Sequence, residues 1–135
     1  MSGTSRFLKE QKPTIRTVGA DPIGSVYYSY FKTGKMSEPH VYKVEGIGYD
    51  FIPEVLDNGL VDQYIKTADK ESFRMARRLM REEGLLVGGS AGAVAWAALE
   101  VASTLDEGQN CLCLFADSVR NYMSKFLLDG WMREQ

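Results

Sequence analysis

Residues 83–100, EGLLVGGSAGAVAWAALE, decide the fold of this chain. A short apolar run at 85–87 leads into a cluster of small residues and then into an alanine-rich segment of helical composition. This order predicts a strand, a tight turn and a helix that extends to about Leu105. Small residues let another molecule approach the backbone, and a helix start presents unpaired N–H groups. The turn is therefore either a ligand site or a close helix–strand contact, and the local sequence leaves both open.

Composition narrows the class of protein. The 135 residues, 44% apolar and 25% charged, are typical of one globular domain or part of one. Sixteen basic and eighteen acidic side chains give a net charge of −2 without a basic stripe, which argues against nucleic acid as a partner. The least charged window, 85–99, is shorter than the ~20 residues that cross a membrane. The first residues, MSGTSRFLKEQKP, have no apolar core of the signal-peptide kind, so we expect a cytoplasmic chain without a membrane partner.

The cysteines and the one histidine offer little chemistry. Cys111 and Cys113 alternate in the run NCLCLF, which predicts that they share one face of a strand at 111–116. Neighbours of that kind do not form a disulfide, and no further ligands stand at metal-binding spacing, so we expect no metal. We expect both to be reduced core thiols. His40, beside Pro39 in a polar stretch, is expected to be a loop residue.

The rest of the chain alternates between strand and helix patterns. We predict a helix at 2–11, strands at 14–21 and 60–66, long loops with short helical pieces at 23–53, and a helix that Thr67 caps and Gly84 ends. One side of that last helix carries arginines that we expect to form a solvated face: Arg74, Arg77, Arg78 and Arg81. The alternation predicts an α/β fold with a parallel sheet, whose ligands bind at the carboxyl ends of the strands.

Three motifs identify a family together: VEGIGYDFIP at 44–53, EGLLVGGSAGA at 83–93 and DSVRNYMSKF at 117–126. With ADPIGS at 20–25, they closely resemble cystathionine β-synthase, a pyridoxal-phosphate enzyme of the tryptophan-synthase-like class. The glycine turn alone is shared with cysteine synthases, whereas EGIGYDF followed by DSVRNYM favours cystathionine β-synthase. The resemblance implies an incomplete three-layer α/β domain with a mostly parallel sheet, tryptophan synthase β-like.

The resemblance also implies a chemistry and a set of cofactor residues. The family uses pyridoxal 5'-phosphate to replace the hydroxyl of serine by homocysteine, giving cystathionine. Ser90 corresponds to the hydroxyl that meets the pyridine nitrogen, and a neutral hydroxyl there leaves that nitrogen unprotonated. Gly88 and Gly89 correspond to the strand end that lies against the ring. Asp117 and Ser118 resemble residues that flank the pyridine edge as partners of Ser90, although Asp117 also suits a helix N-cap.

A second group of residues resembles the loop that closes on the amino-acid substrate. Its members are Gly46, Gly48 and Tyr49; the alternatives are that Tyr49 fills a core gap and that the glycines only permit a turn. Arg120 is a candidate carboxylate anchor, with a structural ion pair as the alternative. Ala116 stands where the family usually has proline, which loosens the turn that positions Asp117.

Several family elements are absent from the 135 residues. The SxKxR-like motif with the lysine that attaches the cofactor, the Asn-containing substrate loop and the phosphate-binding loop are missing. We therefore expect residues 1–135 to be the C-terminal part of a catalytic domain, inactive alone, that associates through an exposed edge with another copy or with the missing N-terminal half. The alternatives are a cysteine synthase that uses sulfide and a non-catalytic interaction module.

Overall fold

A computed structural model describes residues 1–134 as helices on a small parallel sheet. The elements in chain order are α1 (Ser2–Gln11), β1 (Val18–Pro22), α2 (Tyr27–Thr33), β2 (Gln63–Thr67), α3 (Asp69–Glu83), α4 (Gly89–Ala102) and α5 (Asp129–Arg133). Two short 3-10 helices lie at Asn58–Leu60 and Val119–Tyr122. Within the described part, the α/β class is confirmed, and 23–53 contains long loops and one short helix, as predicted.

The sheet consists of β1 and β2, which pair in parallel from Val18 with Gln63 to Pro22 with Thr67. Strand β1 begins four residues later than predicted and β2 begins three residues later. The reason lies just before them, where the Asp62 carboxylate accepts the Thr17 amide at 2.6 Å and occupies the position of a strand hydrogen bond. The strands therefore end at one edge, directly before the loops that carry the predicted motifs.

Helices α3 and α4 form the main packing contact of the molecule. The apolar side of α3, predicted from its periodicity, carries the buried Phe73 and Ala76. A side chain on Gly92 would overlap the carbonyl oxygen of Ser72 and lie 2.7 Å from the amide nitrogen of Ala76. The small residues of α4 thus allow the two helices to meet at backbone distance, and Gly84 ends α3 as predicted.

The predictions of strands at 85–87 and 111–116 were wrong. Val87 forms only an isolated antiparallel bridge with Ser118, and 111–117 has no regular structure. A strand needs a neighbour to satisfy its N–H and C=O groups, and the described chain gives 85–87 only a short contact with 117–119 and places no strand beside 111–116. As a result Leu112 is 90% exposed, Cys111 is exposed and Cys113 is half-buried, so the expectation of core thiols was also wrong.

Smaller differences concern helix ends. Ala68, not Thr67, is the N-cap of α3, because Thr67 is the last residue of β2 and its buried hydroxyl has no partner within residues 1–134. Helix α4 ends at Ala102 and not at Leu105. His40 lies exposed in a loop, as predicted. Among the described residues, no helix combines the length and apolar character that crossing a membrane requires.

Candidate functional site

The glycine turn presents one hydroxyl at the start of α4. Gly88 is the N-cap with extended backbone, and Ser90 lies in the first helical turn with 4% of its surface exposed. The Ser90 side chain makes no hydrogen bond within residues 1–134. The hydroxyl oxygen is not itself enclosed, since the buried side-chain oxygens without a partner in the described chain belong to Asp21, Thr67 and Asp117. The Ser90 hydroxyl is therefore available to a group from outside the described chain.

Residues 117–119, which we call the strap, run antiparallel to 86–88 beside this turn. The Gly88 amide donates to the Asp117 carbonyl at 3.1 Å, and the Val119 amide donates to the Leu86 carbonyl at 3.1 Å. A Cβ on Gly88 would lie 2.7 Å from the carboxyl carbon of Asp117. The structure therefore brings Asp117 to Gly88 in the glycine turn, while its role as a partner of Ser90 stays a prediction. Gly88 lacks a side chain because the Asp117 carboxylate occupies the space.

The two oxygens of Asp117 have different surroundings. Oδ2 accepts a hydrogen bond from the Tyr122 hydroxyl at 2.6 Å, whereas Oδ1 is buried with no partner in the described chain. Burial, the bond to Asp117 and the charges of Asp117 and Glu45 raise the pKa of Tyr122 to about 12. Tyr122 consequently stays a neutral donor, and a carboxylate with one free oxygen lies beside the turn that holds Ser90.

The neighbouring Ser118 and Arg120 have plainer roles. The Ser118 hydroxyl accepts from the Arg120 amide at 3.4 Å and caps the 3-10 helix. Asp117 is therefore not that cap, and the alternative of an N-cap role for it was wrong. Ser118 and Arg120 are exposed, and the ion pair weighed for Arg120 does not occur within residues 1–134.

The predicted substrate loop is anchored to the turn after β1. Gly46 and Gly48 have φ of 85° and 70°, a conformation that favours glycine. A side chain on Gly48 would also lie 2.8 Å from Pro22 and Ser25, so position 48 requires glycine on both grounds. The Tyr49 amide donates to the Ser25 hydroxyl at 3.2 Å. Tyr49 itself is 47% exposed, so it does not fill a core gap.

The same loop also contacts the segment that follows the strap. Val44 belongs to a buried cluster with Phe73, Ala76, Tyr122 and Phe126. Next to it, Glu45 forms an ion pair with Lys125. The structure thus joins the motifs at 44–53 and 117–126 through direct contacts, although they lie far apart in sequence.

The turn at 20–25 is held by a lysine that the sequence did not single out. Lys66 in β2 donates from Nζ to Asp21 Oδ2 at 2.8 Å, to the Pro22 carbonyl at 2.7 Å and to the Ser25 carbonyl at 3.0 Å. Asp21 is fully buried and also accepts the Tyr28 amide at 3.0 Å. The register that pairs Asp21 with Lys66 is the signal that reveals this contact, and it requires the strand alignment.

These residues fit one side of a pyridoxal-phosphate ring. The Ser90 hydroxyl, which makes no hydrogen bond in the described chain, would suit a neutral ring nitrogen, and Gly88 and Gly89 form the helix start beside it without side chains. The glycines also have internal reasons to be glycine, since a side chain on Gly89 would lie 2.8 Å from Phe73. Ser90 is therefore the residue whose environment points most directly to an external group.

Comparison with known proteins defines the class. Residues 1–117 match the family described as pyridoxal-phosphate dependent enzyme, and the chain belongs to this family, whose members depend on pyridoxal phosphate. Within it, the chain is similar to cystathionine beta-synthases. It is 52% identical over 132 residues to that of Dictyostelium discoideum, which covers 98% of this chain and 26% of the relative. It is 49% identical over 135 residues to the enzyme of Oryctolagus cuniculus, and this match covers 100% of this chain and 24% of that relative.

Solved structures give the same result. The O-acetylserine dependent cystathionine beta-synthase of Helicobacter pylori matches with a TM-score of 0.78 and 41% identity over 92% of this chain and 38% of that one. A mutant of O-ureido-L-serine synthase with bound O-ureido-L-serine matches with a TM-score of 0.81 and 30% identity. This match covers 95% of this chain and 38% of the synthase chain. The resemblance and the tryptophan synthase β-like fold class are confirmed. The chain spans about a quarter of the length of the curated relatives named above.

Proposed function

We propose that this chain is part of a cystathionine β-synthase that replaces the hydroxyl of serine by homocysteine. The observation that carries the proposal is the Ser90 hydroxyl, which makes no hydrogen bond in the described chain and stands in the first turn of α4, two residues after the Gly88 that Asp117 contacts. Pyridoxal phosphate, when bound, supplies the electron sink for the loss of the serine hydroxyl. The residues of this chain would bind the cofactor and the substrate and orient them for the reaction.

In this proposal the Ser90 hydroxyl would hold the ring nitrogen by a hydrogen bond and keep its own proton, so that the nitrogen stays uncharged, and Gly88 and Gly89 would leave room for the ring. Asp117 and Ser118 would flank the same edge of the ring. The negative charge of the Asp117 carboxylate is stabilised by the positive, N-terminal end of α4. Gly46, Gly48 and Tyr49 bind the amino-acid substrate, because their loop is fixed at Ser25 while the Tyr49 ring remains half exposed.

We further propose that residues 1–135 form the C-terminal part of the catalytic domain and are inactive alone. The absence of the SxKxR-like motif from these residues supports this, and so does the exposed apolar segment around Leu112 and Leu114. Such a segment favours association with the part that carries the attaching lysine, or with a second copy. The two free thiols fit a reducing compartment, and we propose the cytoplasm.

A chimera tests the function directly. Residues 1–134 replace the matching segment of the Dictyostelium discoideum relative, and cystathionine formation from serine and homocysteine is measured. We expect an active chimera, a loss of more than about tenfold in kcat for Ser90→Ala, because a buried polar contact is removed, and no loss for Ser103→Ala at the exposed end of α4. An inactive but folded chimera, or equal activity of both variants, would contradict the proposal.

The same chimera separates the alternatives. Sulfide in place of homocysteine tests a cysteine synthase, and O-acetylserine in place of serine tests the substrate named for the Helicobacter pylori and Bacillus subtilis relatives. Mixing the isolated chain with a separately produced N-terminal half tests the interaction module. Binding with restored cystathionine formation supports the enzyme, whereas binding without activity favours the module.

A further inference from the structure

The Tyr122 hydroxyl donates a hydrogen bond to the Asp117 carboxylate, which lies against Gly88 in the glycine turn. We propose that Tyr122 is a positioning residue that holds Asp117 against the start of α4 and thereby fixes the turn that presents Ser90. This inference rests on the proposed function of Ser90. It assigns to Tyr122 no contact with cofactor or substrate.

The first step concerns the phenol itself. Tyr122 is 6% exposed, and its ring lies 5.5 Å from that of Phe126 in the buried cluster that also contains Val44 and Phe73. A ring enclosed in this way has one position for its hydroxyl. The hydroxyl therefore gives Asp117 Oδ2 a fixed partner at 2.6 Å.

The second step leads from Asp117 to the turn. With Oδ2 held, Oδ1 is directed at Gly88, where no side chain intervenes, and the Asp117 carbonyl accepts the Gly88 amide at 3.1 Å. Oδ1 has no hydrogen-bond partner in the described chain, so the Tyr122 hydroxyl is the side-chain group that holds the Asp117 carboxylate in its buried position. Without that bond both oxygens lack partners and the carboxylate turns toward water. The strap would then loosen from 86–88.

The third step connects the substrate loop. Val44 contacts the cluster of Tyr122, and Glu45 is paired with Lys125 three residues beyond that phenol. Tyr122 thus stands between the loop at 44–49 and the turn at 88–90. This arrangement gives a physical reason why the three motifs occur together, since each one supports the position of the next.

Amide hydrogen exchange of the full chain, followed by NMR, tests the inference without cofactor or activity. The amides of Gly88 and Val119 report the strap directly, because both donate across it. In Tyr122→Phe we expect both to exchange about tenfold faster, since the lost bond involves a charged group, while the Lys12 amide of α1 stays unchanged. Phenylalanine keeps the ring, so a residue that only fills the core would show no such change.

Two further variants make the test decisive. Tyr30→Phe, which removes a more exposed phenol in α2, serves as the matched control and should leave both amides unchanged. Asp117→Ala should accelerate the same amides, and adding Tyr122→Phe to it should have no further effect. Unchanged amides in folded Tyr122→Phe, or effects that multiply in the double variant, would overturn the inference. If Tyr122→Phe does not fold, Asp117→Ala carries the measurement: unchanged amides there overturn the inference, and faster exchange supports it. A failed chimera would leave these results intact, so the two proposals fail separately.

Discussion

At the scale of single residues, the site depends on a position where a side chain has no room. A Cβ on Gly88 would overlap the Asp117 carboxylate, and that carboxylate is already held by Tyr122. We predict that Gly88→Ala lowers the free energy of unfolding by about 1–3 kcal/mol, the usual cost of overpacking. Urea unfolding followed by circular dichroism measures it.

The control for this substitution is Gly130→Ala in α5. A side chain on Gly130 would meet nothing within 4 Å, and alanine favours a helix, so stability should stay the same or rise slightly. Equal stability of Gly88→Ala and the parent chain would show that the carboxylate moves aside freely. That result would also contradict the account of the strap given above.

Tyr122 carries a prediction on pH. Its pKa is raised, mainly by burial, from 10.0 to about 12 in the folded chain, so the folded state keeps the proton longer than the unfolded state. The stabilisation from this phenol is therefore fully present below pH 10 and is lost as the pH rises through about 12. The difference in unfolding free energy between the parent and Tyr122→Phe should shrink over that range. A constant difference would contradict the assignment.

At the scale of elements, the contact of α3 with α4 is the one most sensitive to volume. A side chain on Gly92 would overlap the backbone carbonyl of Ser72, and backbone cannot move without displacing a helix. We predict that Gly92→Ala costs about 3 kcal/mol, near the upper end for overpacking. Thermal unfolding with Gly88→Ala as the comparison measures it. A smaller loss at Gly92 than at Gly88 would show that the helices slide apart easily.

How well the sequence predicts an element depends on whether the backbone hydrogen bonds of that element are local or need a partner strand. Helices α1 and α3 were predicted well, because their bonds are local and their apolar residues recur at helical spacing. The runs at 85–87 and 111–116 have strand composition but no strand beside them in the described chain. The composition of a run does not show whether a second strand lies beside it. The end of β2 shows the same limit, since Thr67 suits a helix cap and yet continues the strand.

For the site, the family resemblance implied that Asp117 and the glycine turn serve one cofactor edge, but it did not indicate which contacts hold Asp117 in place. The motifs gave Ser90, Asp117 and the loop at 44–49 through family resemblance. The bond from Tyr122 to Asp117 and the three bonds of Lys66 depend on packing and strand register, which sequence patterns do not carry. Both were therefore found only in the structure.

At the scale of the whole molecule, the apolar segment at 111–116 governs association. Leu112 is 90% exposed and Leu114 is 65% exposed, which is unfavourable in water. We predict that the isolated chain self-associates at rising concentration and that Leu112→Glu with Leu114→Glu reduces this without loss of stability. Sedimentation velocity under reducing conditions measures it.

Val55→Glu is the matched control, because Val55 is 83% exposed in a different part of the surface. It should leave the association unchanged. If all variants and the parent are monomers at every concentration, the exposed segment is tolerated in water. Association through another copy would then be wrong, and only a covering segment from the remaining protein would stay as the proposed partner.

The ammonium group of Lys66 has a chemical consequence. It donates to the Asp21 carboxylate and to the carbonyls of Pro22 and Ser25, so three acceptors surround its nitrogen. Aldehydes and acylating reagents cannot approach a nitrogen that is engaged in this way, and exposed lysines such as Lys12 will therefore be labelled first. Modification of Lys66 requires the turn at 20–25 to detach from β2. Mass spectrometry of a labelled chain thus measures how often this edge of the sheet opens.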